Sequence, residues 1–190
     1  MGLSPILKKL LFVRQFSIDE GKIKLLGDPE IMLHASAVVE LQEIDQSKLY
    51  DVAKKSSLRN IVSFVEHAKV YEKVKDVFIS DIAGLGKKIG QTDSGVISVL
   101  QEIFNVYGLG DMAIEKIDNS KKQAIVVIRE STIADEWLKK NKKHSKNPVC
   151  TLTAGIIAGM FSYIFDKEID CVEAKCRGQT GGGYCLFRVG

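Results

Sequence analysis

Three of the chain's four cysteines fall within CVEAKCRGQTGGGYC, from Cys171 to Cys185. Thiolates bind metals or exchange disulfides, thiols also pack as small apolar groups, and this spacing admits all three. The fourth cysteine, Cys150, follows Asn147-Pro148-Val149. Asn is a favoured helix N-cap and Pro a favoured first helical residue. Cys150 is therefore predicted in the first turn of a helix, whose terminus lowers a thiol pKa. Glu173, Cys176 and Cys185 complete a four-ligand set with it, because tetrahedral Zn²⁺ accepts thiolate sulfur and carboxylate oxygen. One difficulty stands against this set. Glu173 and Cys176 have opposite parity in a regular strand and would point to opposite faces. A bulge, or a strand that ends near Cys176, is required. Cys171 shares the parity of Glu173 and is a rival ligand. His144, in the polar run KKNKKHSK, is another. On these residues alone a metal site, a disulfide or redox pair, and buried free thiols all stay open.

The glycines carry less chemistry. A phosphate-binding loop needs its glycines between a strand and a helix N-terminus. Gly178 to Gly183 instead precede Tyr184 to Val189, which reads as a strand, so the loop is expected to be a flexible hairpin connection. The stretch GLGKKIG, Gly84 to Gly90, lacks the P-loop spacing. Lys139, Lys140, Lys142, Lys143 and Lys146 form a basic run, read as a solvated face rather than an anion site. Trp137 is read as a core anchor. His34 and His67 have no acid or nucleophile at a catalytic spacing.

Elements that would position these residues can be read from periodicity. Leu11 to Ile18 and Lys22 to Leu26 flank Asp19-Glu20-Gly21, a hairpin signal. Asp28-Pro29 reads as a break, Ile31 to Leu33 as a possible continuation of the sheet, and Ser36 as the cap of a helix through Leu41. Asp45 to Lys54 and then Leu58 to about Ile89 are predicted helical, with Ile61, Phe64, Val65, Ala68, Val70 and Tyr71 apolar. Gly84, Gly86 and Gly90 end that helix. Thr92-Asp93 caps the next, which runs through Tyr107 to Gly108-Leu109-Gly110. Met112 to Ile117 and Gln123 to Ile128 bracket a hairpin at Asp118 to Lys121. The uncharged stretch from Val149 to Phe165 holds Gly155 and Gly159. It is short for a membrane span and is read as a buried helix whose glycines admit a close neighbour. Phe161, Tyr163 and Phe165 on it are read as dividing between the core and a subunit interface. Two strands around the cysteine cluster close the chain. The fold class is α+β, an α/β sandwich: an antiparallel sheet covered by helices, with an N-terminal β-hairpin elaboration. Residues 1–35 are assigned to that hairpin region and 36–190 to a ligand-binding domain whose zinc motif occupies 148–190.

The composition is that of a globular protein, 45% hydrophobic and 27% charged over 190 residues. A net charge of +3 gives no case for nucleic acid. No charged segment followed by a long apolar stretch opens the sequence, so no secretory signal is read. A cytoplasmic, reducing location follows as an expectation, in which clustered cysteines are more often metal ligands or redox groups than staples.

Pro148-Val149-Cys150, the apolar helix through Phe165, Glu173-Ala174-Lys175-Cys176 and Cys185-Leu186-Phe187 together resemble the 4-vinyl reductase domain family, also called a hydrocarbon-binding family. GKIKLLGDPEIMLHAS is similar to the N-terminal hairpin of the sensor domains of phenol-responsive activators, and the whole chain looks most like a stand-alone archaeal member. The resemblance implies a fold shared with a vesicle-tethering subunit family. It implies zinc held by Cys150, Glu173, Cys176 and Cys185, and a pocket-facing Cys171. Four protein ligands make such a zinc structural, with Lys175 and Arg177 expected to offset its anionic ligands. The function expected is a zinc-stabilised, homodimeric module that binds a small apolar or aromatic molecule, with Ala154, Cys171 and Val127 facing the ligand. Two alternatives are a reductase of a tetrapyrrole vinyl group and a protein-interaction scaffold.

Overall fold

The computed structural model describes residues 16–19, 21–25, 28–72, 97, 100–101, 103–105 and 107–190. β1 (Phe16–Asp19), β2 (Lys22–Leu25) and β3 (Asp28–Glu30) form a three-stranded antiparallel sheet in that order. Gly21, at φ +75°, supplies the left-handed residue of the β1–β2 turn. Asp28-Pro29, expected to break the chain, is instead strand. Pro29 pairs with Lys24 on an edge strand, where a missing N–H is tolerated. Ile31 to Leu33 leave the sheet and are exposed.

α1 (Ala35–Ile44) starts one residue before Ser36, with His34 at the N-cap. α2 (Gln46–Glu72) is one unbroken helix where the sequence suggested two. Asp45 starts it, its Oδ1 accepting a hydrogen bond from Lys48 N at 2.9 Å. The expected continuation to Ile89, the glycine stops at 84, 86 and 90, the Thr92-Asp93 cap, and the side chains of Phe64 to Tyr71 and of His67 lie outside the described residues. So does the expected strand at 11–15.

β4 (Asp111–Asp118) and β5 (Gln123–Arg129) form the expected hairpin. Asp118 Oδ1 accepts hydrogen bonds from Ser120 Oγ and Lys121 N, which fixes its turn. α3 (Thr132–Asn141) follows, then α4 (Thr151–Phe165), β6 (Cys171–Lys175), the short α5 (Arg177–Thr180) and β7 (Tyr184–Val189). The loop read as a flexible hairpin connection thus contains a helical turn, ended by Gly181 at φ +66°. The main sheet has the order β4-β5-β7-β6 and is antiparallel throughout. The fold is α+β.

α4 is the centre of the core. Ile157, Ala158 and Phe161 are fully buried, and together with Val126, Ile128 and Phe187 of the sheet they belong to one apolar cluster. Phe161 and Phe165 share a helix face, their ring centroids 5.4 Å apart, so both are core residues and only Tyr163 of the three aromatics is partly exposed. Trp137 packs against the same cluster. On its other side α4 lies against α2. Among the described residues no helix is long and apolar enough to cross a membrane.

Candidate metal centre

Four side chains from three separate segments meet at the N-terminus of α4. Cys150, Glu173, Cys176 and Cys185 are buried, and one donor atom from each lies within 4.8 Å of all the others. Cys150 is the N-cap of α4, with φ −106° and ψ 43°, rather than a first-turn residue. The chain before it is held out of the helix: Val149 N donates to Cys176 Sγ at 3.4 Å, and Cys150 N donates to Glu173 Oε2 at 2.9 Å. Glu173 sits in β6 on the inward face it shares with Cys171. The parity conflict with Cys176 is resolved in both of the ways the sequence allowed. The β6–β7 register shifts between Glu173 and Lys175, and β6 ends at Lys175. Cys176 is then the N-cap of α5, and Cys185 returns on β7 opposite Ile128.

All four cysteines are free thiols. Cys150 Sγ and Cys185 Sγ are 3.7 Å apart. A tetrahedron with metal–sulfur bonds of about 2.3 Å has an edge of about 3.8 Å, so this pair already has the separation of two zinc ligands. Glu173 adds an independent sign: its Oε1 is buried and has no hydrogen-bond partner among the described residues. One carboxylate oxygen is anchored to the helix N-terminus while the other is left for a cation. The donor set therefore fits Zn²⁺ in type, number and spacing.

The thiols also polarise one another. Hydrogen bonds from Cys150 and Cys185 hold Cys176 far below the usual thiol range. Cys150 is pushed well above it by its bonds to Cys176 and Cys185 and by burial. The contact with Cys150 pulls Cys185 down, but its bond to Cys176 and its burial outweigh that and leave it raised. The thiolate is thus centred on Cys176, not on Cys150 as the helix-terminus argument expected. Cys150 N–H is spent on Glu173, and sharing a proton with neighbouring sulfurs is the stronger effect. Burial, then the Cys176 charge, raises Glu173 to about 8.

A proton-linked metal affinity follows. At neutral pH Cys150, Cys185 and Glu173 hold protons that a metal must displace. Affinity is therefore expected to rise with pH and to fall on acidification, by up to about a thousandfold per pH unit if all three protons leave together. Metal titrations in buffers of different ionisation heat measure the protons released, and no release would contradict these shifts.

Backbone N–H groups, not side-chain cations, face the sulfurs. Besides the Val149 bond, Arg177 N donates to Cys185 Sγ at 3.3 Å. Lys175 and Arg177 were expected to offset the negative charge. Arg177 is instead paired with Asp135 of α3, and Lys175 Nζ stands 4.1 Å from the centre of the Tyr184 ring. Two contributors carried no motif. Ser131, fully buried, caps α3 and places its Oγ 3.5 Å from Cys150 Sγ. A Ser between a strand and a helix is a readable cap, but nothing in the sequence tied it to a cysteine. Gln42 of α1 reaches α4, its Oε1 accepting from Leu152 N at 3.1 Å.

The rival ligands stand apart from this group. Cys171 is buried in the apolar cluster, its backbone N–H donating to Tyr50 Oη at 2.8 Å. Burial pushes its thiol pKa up. His144 lies against Gly181. Ala154 belongs to the same cluster as Cys171. Val127 is also buried, but strand alternation puts it on the face opposite Val126 and Ile128, away from that cluster. In the lysine run, Lys140 pairs with Glu40 and Glu43 of α1, and Lys139 with Glu136.

The family model of the 4-vinyl reductase domain matches residues 126–190, a span that holds all four clustered residues. MJ1460 of Methanocaldococcus jannaschii is 28% identical over 122 residues, 63% of this chain and 72% of that protein. The phenol-responsive sensory domain of the transcription activator PoxR, solved with phenol, has a TM-score of 0.69 at 19% identity. The match covers 98% of this chain and 90% of that one, and at that identity the likeness is one of fold. A vinyl-4-reductase family protein from Methanocaldococcus jannaschii has a TM-score of 0.49 at 15% identity, over 85% of this chain and 83% of that one. From within β5 to its C-terminus this chain is a 4-vinyl reductase domain.

Proposed function

We propose that the protein is a zinc-stabilised module that binds a small apolar or aromatic molecule and serves as a sensor, as a homodimer in the reducing cytoplasm. The observation that carries this is the buried donor set, with two sulfurs already at the edge length of a zinc tetrahedron and one carboxylate oxygen without a partner. With all four positions taken by protein, a bound zinc supplies cross-linking rather than hydrolysis. The chain's own residues do the rest. Cys150 fixes the start of α4, Glu173 and Cys185 fix β6 and β7, and Cys176 fixes the turn between them. Held so, α4 and the last two strands can accommodate a guest without closing on each other. PoxR's sensory domain, which shares this fold, is phenol-responsive. In this reading Ala154 and Cys171 face the guest, and Val127 does not, on strand parity. The division near residue 35 leaves β1–β3 as an elaboration of the binding domain.

The homodimer rests on exposed apolar side chains. Ile31, Met32 and Ile44 are each about four-fifths exposed, and Leu33 more than half. A partner surface would cover such a group.

Native mass spectrometry of the protein purified from its source, without added metal, tests all three parts. The expected species is a dimer with about one zinc and one small molecule per chain. A folded, metal-free monomer with a Cys176–Cys185 disulfide would overturn the reading.

A further inference from the structure

A second buried polar atom is left without a partner once Glu173 is assigned to the metal. Thr153, on α4 beside Ala154, is fully buried, and its Oγ1 has no hydrogen-bond partner among the described residues. A Thr or Ser inside a helix ordinarily bonds the carbonyl four residues back. Ser162 of the same helix does this, its Oγ donating to Ala158 O at 2.7 Å and accepting from Ile169 N at 3.0 Å. For Thr153 the matching carbonyl is that of Val149, which precedes the helix. The non-helical Cys150, with φ −106° and ψ 43°, intervenes. Cys176 Sγ and Glu173 Oε2 draw the Val149 and Cys150 N–H groups outward. The metal-binding geometry thus deprives Thr153 of its local acceptor. Helical spacing puts Thr153 on the face of Cys150 and Ile157, both fully buried.

We propose that the Thr153 hydroxyl is the polar contact for the guest, selecting an apolar molecule that bears one hydroxyl or carbonyl over a bare hydrocarbon. This rests on the small-molecule reading above and adds the chemistry of one atom to it. A hydroxyl both donates and accepts, so it can receive a phenolic or alcoholic O–H or donate to a carbonyl. In apolar surroundings, leaving it unpaired is costly, which turns one hydrogen bond into discrimination.

Phenol and toluene, which differ by a hydroxyl in place of a methyl, are suitable probes on the full zinc-loaded chain. Calorimetry should find phenol bound about tenfold more tightly than toluene by the natural protein. Thr153→Val keeps the shape and removes the hydroxyl, so this preference should collapse to within about twofold. The same variant, without guest, should melt higher by about 2–6 °C, because a buried unpaired hydroxyl is gone. Retention of the phenol preference by Thr153→Val would overturn the proposal, and so would a lower melting temperature, which would reveal a structural partner for the hydroxyl. If the natural protein binds both probes equally, the small-molecule reading stands and the role of Thr153 falls. If it binds neither, both fall.

Discussion

Cys176→Ser is expected to release the metal and to lower the thermal midpoint by roughly 8–16 °C, equivalent to a loss of about 4 kcal/mol. Cys176 accepts from Val149 N, shares protons with Cys150 and Cys185, and is the sulfur on which the negative charge collects. Serine puts a harder hydroxyl there that stays protonated at neutral pH, so the set loses its strongest donor. Structural zinc can contribute on the order of 10 kcal/mol where it organises the whole fold. Here α4 and the sheet keep an apolar core of their own, so the loss should be smaller. Cys171→Ser is the matched control. Its thiol is equally buried but lies outside the donor group. It should retain full metal at a cost on the order of 1 kcal/mol. Elemental analysis and melting curves on both variants decide the matter. A Cys171→Ser protein that loses metal while Cys150→Ser keeps it would show the ligand set to be wrong.

That control matters because parity alone could not separate Cys171 from the ligands. Cys171 and Glu173 do share the inward face of β6, as alternation requires. What brings Cys176 to the same side is a register shift between Glu173 and Lys175 and the end of the strand, and both are tertiary events. The sequence could state that such a feature was needed but not where it would fall. The three cysteines and one glutamate that meet were readable because their residue types carry one chemistry. Ser131 and Gln42 were not, because Ser and Gln cap helices in many places without touching a thiol.

The elements followed the same division. The two hairpins were legible from turn residues at Asp19 to Gly21 and Asp118 to Lys121, where local chemistry decides the backbone. The start of α4 was misplaced because Asn147-Pro148 is a sound local cap signal. Glu173 and Cys176 override it by taking the N–H groups of Cys150 and Val149. The charge arithmetic failed for a related reason. Lys175 and Arg177 are adjacent to Cys176 in sequence, yet Tyr184 and Asp135 compete for them in space.

Gly155 and Gly159 carry the other large expected effect. Both face α2. A Cβ on Gly155 would lie 2.5 Å from Tyr50 O and 2.8 Å from Ala53 Cβ, and one on Gly159 would lie 2.5 Å from Lys54 O and 2.7 Å from Ser57 Cβ. Two effects oppose each other in a Gly→Ala change here. Helix propensity favours Ala by about 1 kcal/mol. Overpacking against backbone atoms, which cannot rotate away, costs about 3 kcal/mol at the upper end of its range. The clash should win, leaving each variant destabilised by about 2 kcal/mol, or roughly 4–8 °C in melting temperature. Gly155→Ala should also weaken metal retention, because pushing α4 off α2 moves Cys150 relative to Cys176 and Cys185. Gly183→Ala is the control, since a Cβ there meets nothing within 4 Å. It should melt within about 1 °C of the natural protein. If Gly155→Ala and Gly159→Ala melt at or above the natural protein, propensity has won. The two helices would then not approach as closely as Ser57 Oγ, donating to Ile156 O at 3.0 Å, places them.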